Sequence, residues 1–241
     1  MILQIPSTKI EPIITWEALP ADFVLPDDPV ENIQQPTLAA ALTDALGAAN
    51  LIQPEMLIGS NFGLVATINN KIVVKAPDWF YVPQAYPVTR GTVRRSYTQN
   101  IEGEPVSVVM EFLSETECGE FSVRATPPYG KLYFYQYILQ VPTYVTYDPY
   151  APSLEVRCLD NGEYKIQKPN TQGRVWIPEL ELFIGIWAGE RLGQSMNWLR
   201  WWDRSGNLLL WSSEQSEQEH LRADKLAAKL HELGIDPEAL I

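Results

Sequence analysis

The sequence predicts an α/β fold with a mixed, twisted β-sheet flanked by helices, extended by β-hairpins and ended by a C-terminal helix. Three observations support this fold class. Runs of β-branched residues flank Asn-Asn and Asn-Gly pairs, which are typical of tight hairpin turns. Two stretches in the first 140 residues carry apolar side chains at helical spacing. A polar segment with a stripe of leucines ends the chain, which indicates an amphipathic helix.

The N-terminal part predicts an arm followed by a helix. Residues 1–34 contain five prolines, and proline fixes φ and lacks an amide donor, so an extended arm is expected there. Residues 36–49 (PTLAAALTDALGAA) begin with proline and then repeat leucine and alanine at helical spacing, which predicts the first helix.

The central part alternates strands with one further helix. A strand pair around Asn69-Asn70 includes KIVVKAPDWFYV as its second strand, and an Asn161-Gly162 hairpin follows later. In chain order, the other expected elements are a strand at 106–113, a short helix at 131–139, a strand at 143–149, β structure at 174–189 and a last hairpin at 198–211 around Ser205-Gly206-Asn207.

The C-terminal segment predicts a helix of about six turns. Its features are capping boxes at Ser212/Gln215 and Ser216/Glu219, a stripe of Leu221, Leu226, Leu230 and Leu233, and a stop at Gly234. The helix either packs on its own domain or pairs with a second copy. The predicted domains are therefore an acidic arm (1–34), an α/β domain (35–212) and a helical tail (213–241).

Composition excludes several classes of protein. No apolar run is long enough to span a bilayer, and the start lacks the features of a signal peptide, so a cytoplasmic protein is expected. Cys118 and Cys158 lie far apart, which disfavours a disulfide scaffold. Both histidines, His220 and His231, lie in the tail, so a histidine-based triad or zinc site in the body is excluded.

The charge distribution leaves nucleic-acid binding open. The net charge of −12 opposes nonspecific binding to DNA, but residues 1–34 and 213–241 hold most of the excess acid. Residues 71–95 carry five basic side chains against Asp78 alone, either as a strip along a phosphate backbone or as ordinary surface charge. Six of eight tryptophans follow residue 170, where packing is favoured over base stacking.

Two acidic residues on neighbouring strands form the candidate site. Asp78 ends one predicted strand segment, and Glu111 lies inside an apolar one. If those strands pair, both carboxylates converge, and Mg²⁺ takes one or two carboxylates together with phosphate oxygens. Such an ion activates water and neutralises phosphodiester charge without any histidine. The residues therefore favour metal-dependent phosphodiester chemistry.

The order Pro77-Asp78 then Glu111 resembles the PD-(D/E)XK nuclease superfamily, and the longer pattern is similar to its Uma-two family of restriction-endonuclease-like proteins. The stretches that carry the resemblance are VENIQQP (30–36), KAPDWFYV (75–82), RRSYTQNIEGEPVSVVMEFLSE (94–115), KLYFYQYILQVPTYVTYDP (131–149) and GIDPEAL (234–240). The resemblance implies a restriction-endonuclease-like sheet core.

The resemblance also implies roles for individual residues. Asp78 and Glu111 would hold Mg²⁺ or Mn²⁺, with the Phe112 carbonyl as a third ligand and Glu31 as a further one through water. The superfamily's lysine follows the second acid by two residues, where this chain has Leu113. Lys131 at the next helix is the matching cation. Weaker candidates for substrate contact are Lys75, Arg94, Arg95 and Arg124, and Gln35 and Tyr81 carry weaker signals still.

The leading hypothesis is a magnesium-dependent endonuclease that acts on DNA as a homodimer. The alternative is a non-catalytic interaction protein on a degenerate nuclease scaffold, since a fold alone does not define a function. A third interpretation is a phosphoesterase acting on nucleotides or RNA. Convergence of Asp78, Glu111 and Lys131 within about 4–6 Å on a solvent-reachable cleft separates the first two.

Overall fold

The computed structural model describes residues 11–20, 22–24, 33–113 and 121–233. In chain order the elements are β1 (Ile14–Thr15), α1 (Gln34–Ala48), β2 (Leu57–Gly59), β3 (Leu64–Ile68), β4 (Lys71–Lys75), β5 (Trp79–Val82), β6 (Val108–Phe112), α2 (Lys131–Tyr133) continuing as a π-helical segment (Phe134–Leu139), β7 (Thr143–Asp148), β8 (Ser153–Asp160), β9 (Glu163–Ile166), β10 (Val175–Ile177), β11 (Leu182–Arg191), β12 (Gln194–Trp202) and α3 (Ser212–Glu232).

The chain divides into two compact units. The first comprises residues 1–35 and 55–167, and the second comprises residues 36–54 and 168–241. The three-part division expected from the sequence stays a prediction. Within the described residues, no helix is long and apolar enough to cross a membrane.

A six-stranded mixed sheet forms the centre of the first unit. Its strand order is β2-β5-β6-β7-β8-β9. β6 and β7 run parallel, and the other neighbours are antiparallel. The predicted α/β fold class with a mixed sheet is therefore confirmed.

A second, three-stranded sheet of the first unit has the order β1-β3-β4. Asn69 and Asn70 connect β3 to β4 with φ of 49° and 62°, the left-handed values that a type I′ turn requires. Asn161 and Gly162 do the same between β8 and β9, with φ of 52° and 82°. Both hairpin predictions are confirmed.

The expected continuous strand from Lys71 to Val82 is wrong. β4 ends at Lys75 and β5 begins at Trp79, and the two strands belong to different sheets. Pro77 explains the break, because proline has no N–H to donate to a strand ladder. Asp78 is left in the break, directly before β5.

The helix predicted at residues 131–139 forms the crossover between the parallel strands β6 and β7. Such a pair requires a long connection, since a tight turn can only reverse the chain. Only Lys131–Tyr133 is α-helical, and Phe134–Leu139 is π-helical. Phe134 and Tyr135 are fully buried in the core of the unit, where the Tyr135 ring lies 5.5 Å from that of Tyr144.

In the second unit, the antiparallel sheet β10-β11-β12 contributes most of the buried tryptophans. Trp198, Trp201 and Trp211 are fully buried or nearly so. The Trp201 indole Nε1 donates to the Leu42 carbonyl (3.2 Å), and that of Trp211 donates to the Ala41 carbonyl (3.1 Å). These indoles form core, as the sequence favoured.

Two local predictions in the second unit need correction. The chain reverses around Ser205-Gly206-Asn207 as predicted, and the Asp203 carboxylate closes the loop by accepting from the Asn207 N–H (2.8 Å), but the returning segment pairs with β12 only through an antiparallel bridge between Trp202 and Leu208. The predicted capping boxes at Ser212/Gln215 and Ser216/Glu219 are not used.

The hydrogen bonds at the start of α3 show why the two predicted capping boxes do not form. The Ser212 hydroxyl donates to the Asp44 carboxylate (2.7 Å), and the Glu214 carboxylate accepts from the Trp211 N–H (2.8 Å). The helix is thus capped one residue earlier than expected, by Glu214. The predicted stop at Gly234 lies outside the described residues.

Candidate metal and catalytic site

Glu111 is a fully buried acid in the middle of the mixed sheet. It lies in β6, between β5 and β7, and its residue is 0% exposed. The Tyr135 hydroxyl donates to its Oε1 (2.8 Å), and the Lys131 ammonium donates to its Oε2 (3.0 Å). A buried carboxylate costs several kcal/mol unless it is paired, and here each oxygen has its own donor.

Asp78 lies opposite Glu111, directly before the neighbouring strand β5. The β5–β6 register pairs Trp79 with Met110, so one step further puts Asp78 opposite Glu111. The Phe112 N–H donates to Asp78 Oδ2 (2.6 Å). Asp78 is half-buried, so this carboxylate lies between the core and the surface. The break at Pro77 frees Asp78 from the strand ladder and turns it toward the end of β6.

The Phe112 peptide groups are held on both sides. Its N–H donates to Asp78, and its carbonyl accepts from the Gln35 side-chain amide (3.0 Å), which is in the first turn of α1. The Phe112 ring lies edge-on to Tyr147 at 6.5 Å. The predicted carbonyl ligand therefore has a defined position.

The electrostatics of the site centre on the buried carboxyl group of Glu111. Burial raises the pKa of Glu111 to about 8; the Lys131 ammonium opposes this rise, whereas the negative charge of Asp78 adds to it. Burial and the charge of Glu111 raise the pKa of Tyr135 well above its usual range, so Tyr135 stays a proton donor. A divalent ion bound beside both acids would offset the negative charge of Asp78, which raises the pKa of Glu111.

Lys131 links the buried carboxylate to the surface. It is the first residue of α2, and its side chain is 29% exposed while its ammonium contacts Glu111. Its ammonium therefore contacts a buried acid while part of the side chain stays open to solvent. The structure thus brings Asp78, Glu111 and Lys131 to one end of β6.

The donor set fits a hard divalent cation. Two carboxylates and the Phe112 carbonyl are oxygen ligands of the kind that Mg²⁺ prefers, with water and substrate oxygens completing the shell. The described residues contain no group of three or more His, Cys, Asp or Glu side chains that could hold a metal alone. Glu31 lies outside the described residues, so its predicted role stays a prediction.

The four predicted substrate-contact residues differ in their surroundings. Arg94 pairs with Glu102 (2.6 Å), and Arg95 donates to the Phe23 carbonyl (2.8 Å), so both hold the segment between β5 and β6. Lys75 ends β4, three residues before Asp78. Arg124 is exposed, and its carbonyl accepts from the Gly130 N–H (3.0 Å), next to Lys131.

Sequence reasoning missed Tyr135, and it gave Gln35 only a weak signal without predicting its partner. Tyr135 follows Lys131 by four residues, a spacing that puts two side chains on one face of a helix and could have indicated the pair. Gln35 carries no such signal, because it lies 77 residues from Phe112 in the chain. Tyr81, the other weak candidate, is a buried residue of β5 paired with Val108.

A mixed sheet that gathers two acids and a lysine at one strand end fits a restriction-endonuclease-like protein. A family model, Uma2, with the description "Putative restriction endonuclease", matches residues 26–192, more than half of the sequence. The chain belongs to the Uma2 (Uma-two) family, and the resemblance found in its sequence is confirmed. No curated protein matches the chain. Helix α3 lies beyond the matched residues.

Proposed function

We propose that this protein is an Mg²⁺-dependent endonuclease that hydrolyses DNA phosphodiester bonds. Family membership supports a nuclease-like function. The observation that carries the proposal is the pairing of buried Glu111 with Lys131 at 3.0 Å, beside Asp78, in a chain whose histidines both lie in the tail. This group supplies ligands for a cation and a positive charge for a phosphate, and it needs no histidine.

Each residue has a distinct part in the proposed reaction. Asp78, Glu111 and the Phe112 carbonyl would hold Mg²⁺, which when bound supplies charge neutralisation and a more acidic water. The hydrogen bonds from Gln35 and to Asp78 keep the Phe112 backbone in place. The partly exposed Lys131 ammonium would orient the attacking water or stabilise negative charge on the phosphate.

Substitution of Asp78 by asparagine tests the proposal. Asparagine has the same shape, and its Oδ1 can still accept from the Phe112 N–H, so the negative charge is lost while this hydrogen bond is kept. We expect Asp78→Asn to abolish Mg²⁺-dependent cleavage of plasmid DNA while circular dichroism and the melting temperature stay close to those of the wild type. Asp160→Asn is the matched control, since Asp160 is exposed at the β8–β9 hairpin, and it should cleave normally.

The same assay separates the rival function. A net charge of −12 favours a non-catalytic interaction protein, because an acidic surface repels DNA. That rival predicts no cleavage by the wild type with Mg²⁺ or Mn²⁺, on plasmid, single-stranded DNA or RNA. Unchanged metal-dependent cleavage by Asp78→Asn would instead remove the assignment of this site.

We also propose that the protein is a homodimer through α3. None of the residues of α3 is buried, and Leu221, Leu226 and Leu233 are 52%, 57% and 68% exposed. A leucine stripe left open to solvent is suited to pairing with the same stripe of a second copy.

A further inference from the structure

We propose that Tyr135 is a positioning residue that holds the Glu111 carboxylate in the orientation in which it binds a divalent cation. The inference rests on the proposed metal site and names a residue that acts through Glu111. Tyr135 would not touch the cation or the substrate.

The contact itself is short and fully enclosed. The Tyr135 hydroxyl donates to Glu111 Oε1 at 2.8 Å, and both residues are 0% exposed. Lys131 donates to the other oxygen, Oε2, at 3.0 Å. Two donors on the two oxygens fix the plane of the carboxyl group, which a single donor would leave free to rotate.

The ring of Tyr135 is itself held in place. It lies edge-on to Phe134 at 5.9 Å and tilted against Tyr144 at 5.5 Å, and Tyr144 stacks on Tyr164 at 5.7 Å. The hydroxyl therefore points at Glu111 from a packed aromatic row. An orienting group is effective only if its own rotamer is locked in this way.

The backbone around Tyr135 has an unusual conformation. Tyr135 is the second residue of the π-helical segment Phe134–Leu139, which begins directly after the turn that carries Lys131. π-Helical geometry is rare and is frequent at functional sites. In this chain it coincides with the residue that reaches Glu111.

Tyrosine suits the task because it is a neutral donor. A second ammonium beside Glu111 would compete with a bound cation through repulsion, whereas a hydroxyl adds a hydrogen bond without adding charge. The raised pKa of Tyr135 keeps the proton on the hydroxyl. Partners that orient a metal-binding carboxylate typically contribute about 10–100-fold to metal affinity or activity.

Calorimetric titration with Mn²⁺, without DNA, tests the inference on the wild type, Tyr135→Phe and Tyr164→Phe. Tyr135→Phe keeps the ring and removes the hydroxyl. Tyr164→Phe is the matched control, because it removes a hydroxyl that donates to the Val141 carbonyl (2.9 Å) in the same aromatic row. We expect about 10–100-fold weaker Mn²⁺ binding for Tyr135→Phe and wild-type binding for Tyr164→Phe. Circular dichroism checks that both variants fold.

DNA cleavage provides the second measurement. For Tyr135→Phe, the Mn²⁺ concentration at half-maximal rate should rise, while the rate at saturating Mn²⁺ stays near that of the wild type. A general loss of stability would instead lower the cleavage rate at every Mn²⁺ concentration, including saturation. It would also lower the rate of Tyr164→Phe.

The possible outcomes separate this inference from the proposed function. Equal Mn²⁺ affinity of the wild type and Tyr135→Phe overturns the role of Tyr135, and so does equal weakening of both tyrosine variants. A wild type that binds no Mn²⁺ also overturns it. If the wild type binds Mn²⁺, Tyr135→Phe binds it more weakly and no DNA is cleaved, the inference stands and the endonuclease proposal fails.

Discussion

At the scale of single residues, Glu111 is fully buried and is held at both carboxylate oxygens. It is an acid enclosed in a β-sheet core, and its charge is supported by one ammonium and one hydroxyl. Burial has the largest effect on its pKa, which rises to about 8 from 4.5. In the metal-free protein, ionisation of Glu111 therefore opposes folding, and the size of its effect on stability depends on pH.

The raised pKa predicts how stability changes with pH. Between pH 4.5 and about 8, folded Glu111 holds a proton that the unfolded chain has lost. The stabilisation that this extra proton gives to the folded state is complete below pH 4.5, and it is lost as the pH rises through about 8. We expect the free energy of unfolding of the wild type to fall across this window relative to Glu111→Gln, which does not titrate.

Urea denaturation of both proteins in metal-free buffer, at intervals from pH 4.5 to 8.5, measures the difference. Only the difference is informative, since other groups titrate equally in the two proteins. Parallel pH profiles would contradict the raised pKa of Glu111.

At the scale of elements, the junction of β12 and α3 depends on one buried ion pair. The Arg200 side chain is fully buried, its guanidinium lies 3.4 Å from the centre of the Trp211 ring, and it pairs with Glu214 at 2.6 Å. Burial lowers the pKa of Arg200, whereas the bond to Glu214 raises it. Glu214 also caps the first turn of α3 through the Trp211 N–H.

Removal of Glu214 should therefore destabilise the second unit. Breaking a buried pair costs about 3–5 kcal/mol, and we expect about 2–3 kcal/mol for Glu214→Ala because its carboxylate is partly exposed. Glu217→Ala, on an exposed position of the same helix, should stay within about 0.5 kcal/mol of the wild type. Urea unfolding followed by tryptophan fluorescence measures both, and equal stabilities of the two variants would refute the assignment.

At the scale of the whole molecule, the charge and the apolar stripe of the tail bear on assembly. The net charge is −12, and α3 keeps three large leucines more than half exposed. A homodimer through this stripe would cover apolar surface that a monomer leaves in water. It would also give a nuclease two sites, one for each strand of DNA.

Sedimentation analysis tests the dimer. We expect the wild type to sediment as a dimer and Leu226→Lys to sediment as a monomer, because a lysine in the stripe places charge in the proposed interface. His231→Lys is the control: this exposed residue lies at least about 80° around the helix from each leucine of the stripe, and the variant should remain dimeric. A monomeric wild type would contradict the proposed dimer.

Much of the fold could be predicted because it depends on local chemistry. The Asn69-Asn70 and Asn161-Gly162 turns follow from residue types that tolerate positive φ. The break in the strand at Pro77 was missed, although proline is itself a local signal, because the apolar pattern continues through it. The caps of α3 were missed because Asp44, far away in the chain, takes the Ser212 hydroxyl.

By itself, the sequence determined the α/β class, the family and the identity of Asp78, Glu111 and Lys131 as candidates, since periodicity, turn chemistry and the stretches that resemble the family are read locally. Only the tertiary structure decided that Tyr135 reaches Glu111 and that Gln35 holds the Phe112 carbonyl. Those contacts join residues 24 and 77 positions apart. They depend on the register of β5 and β6 and on where two helices pack, and neither can be read from residue types along the chain.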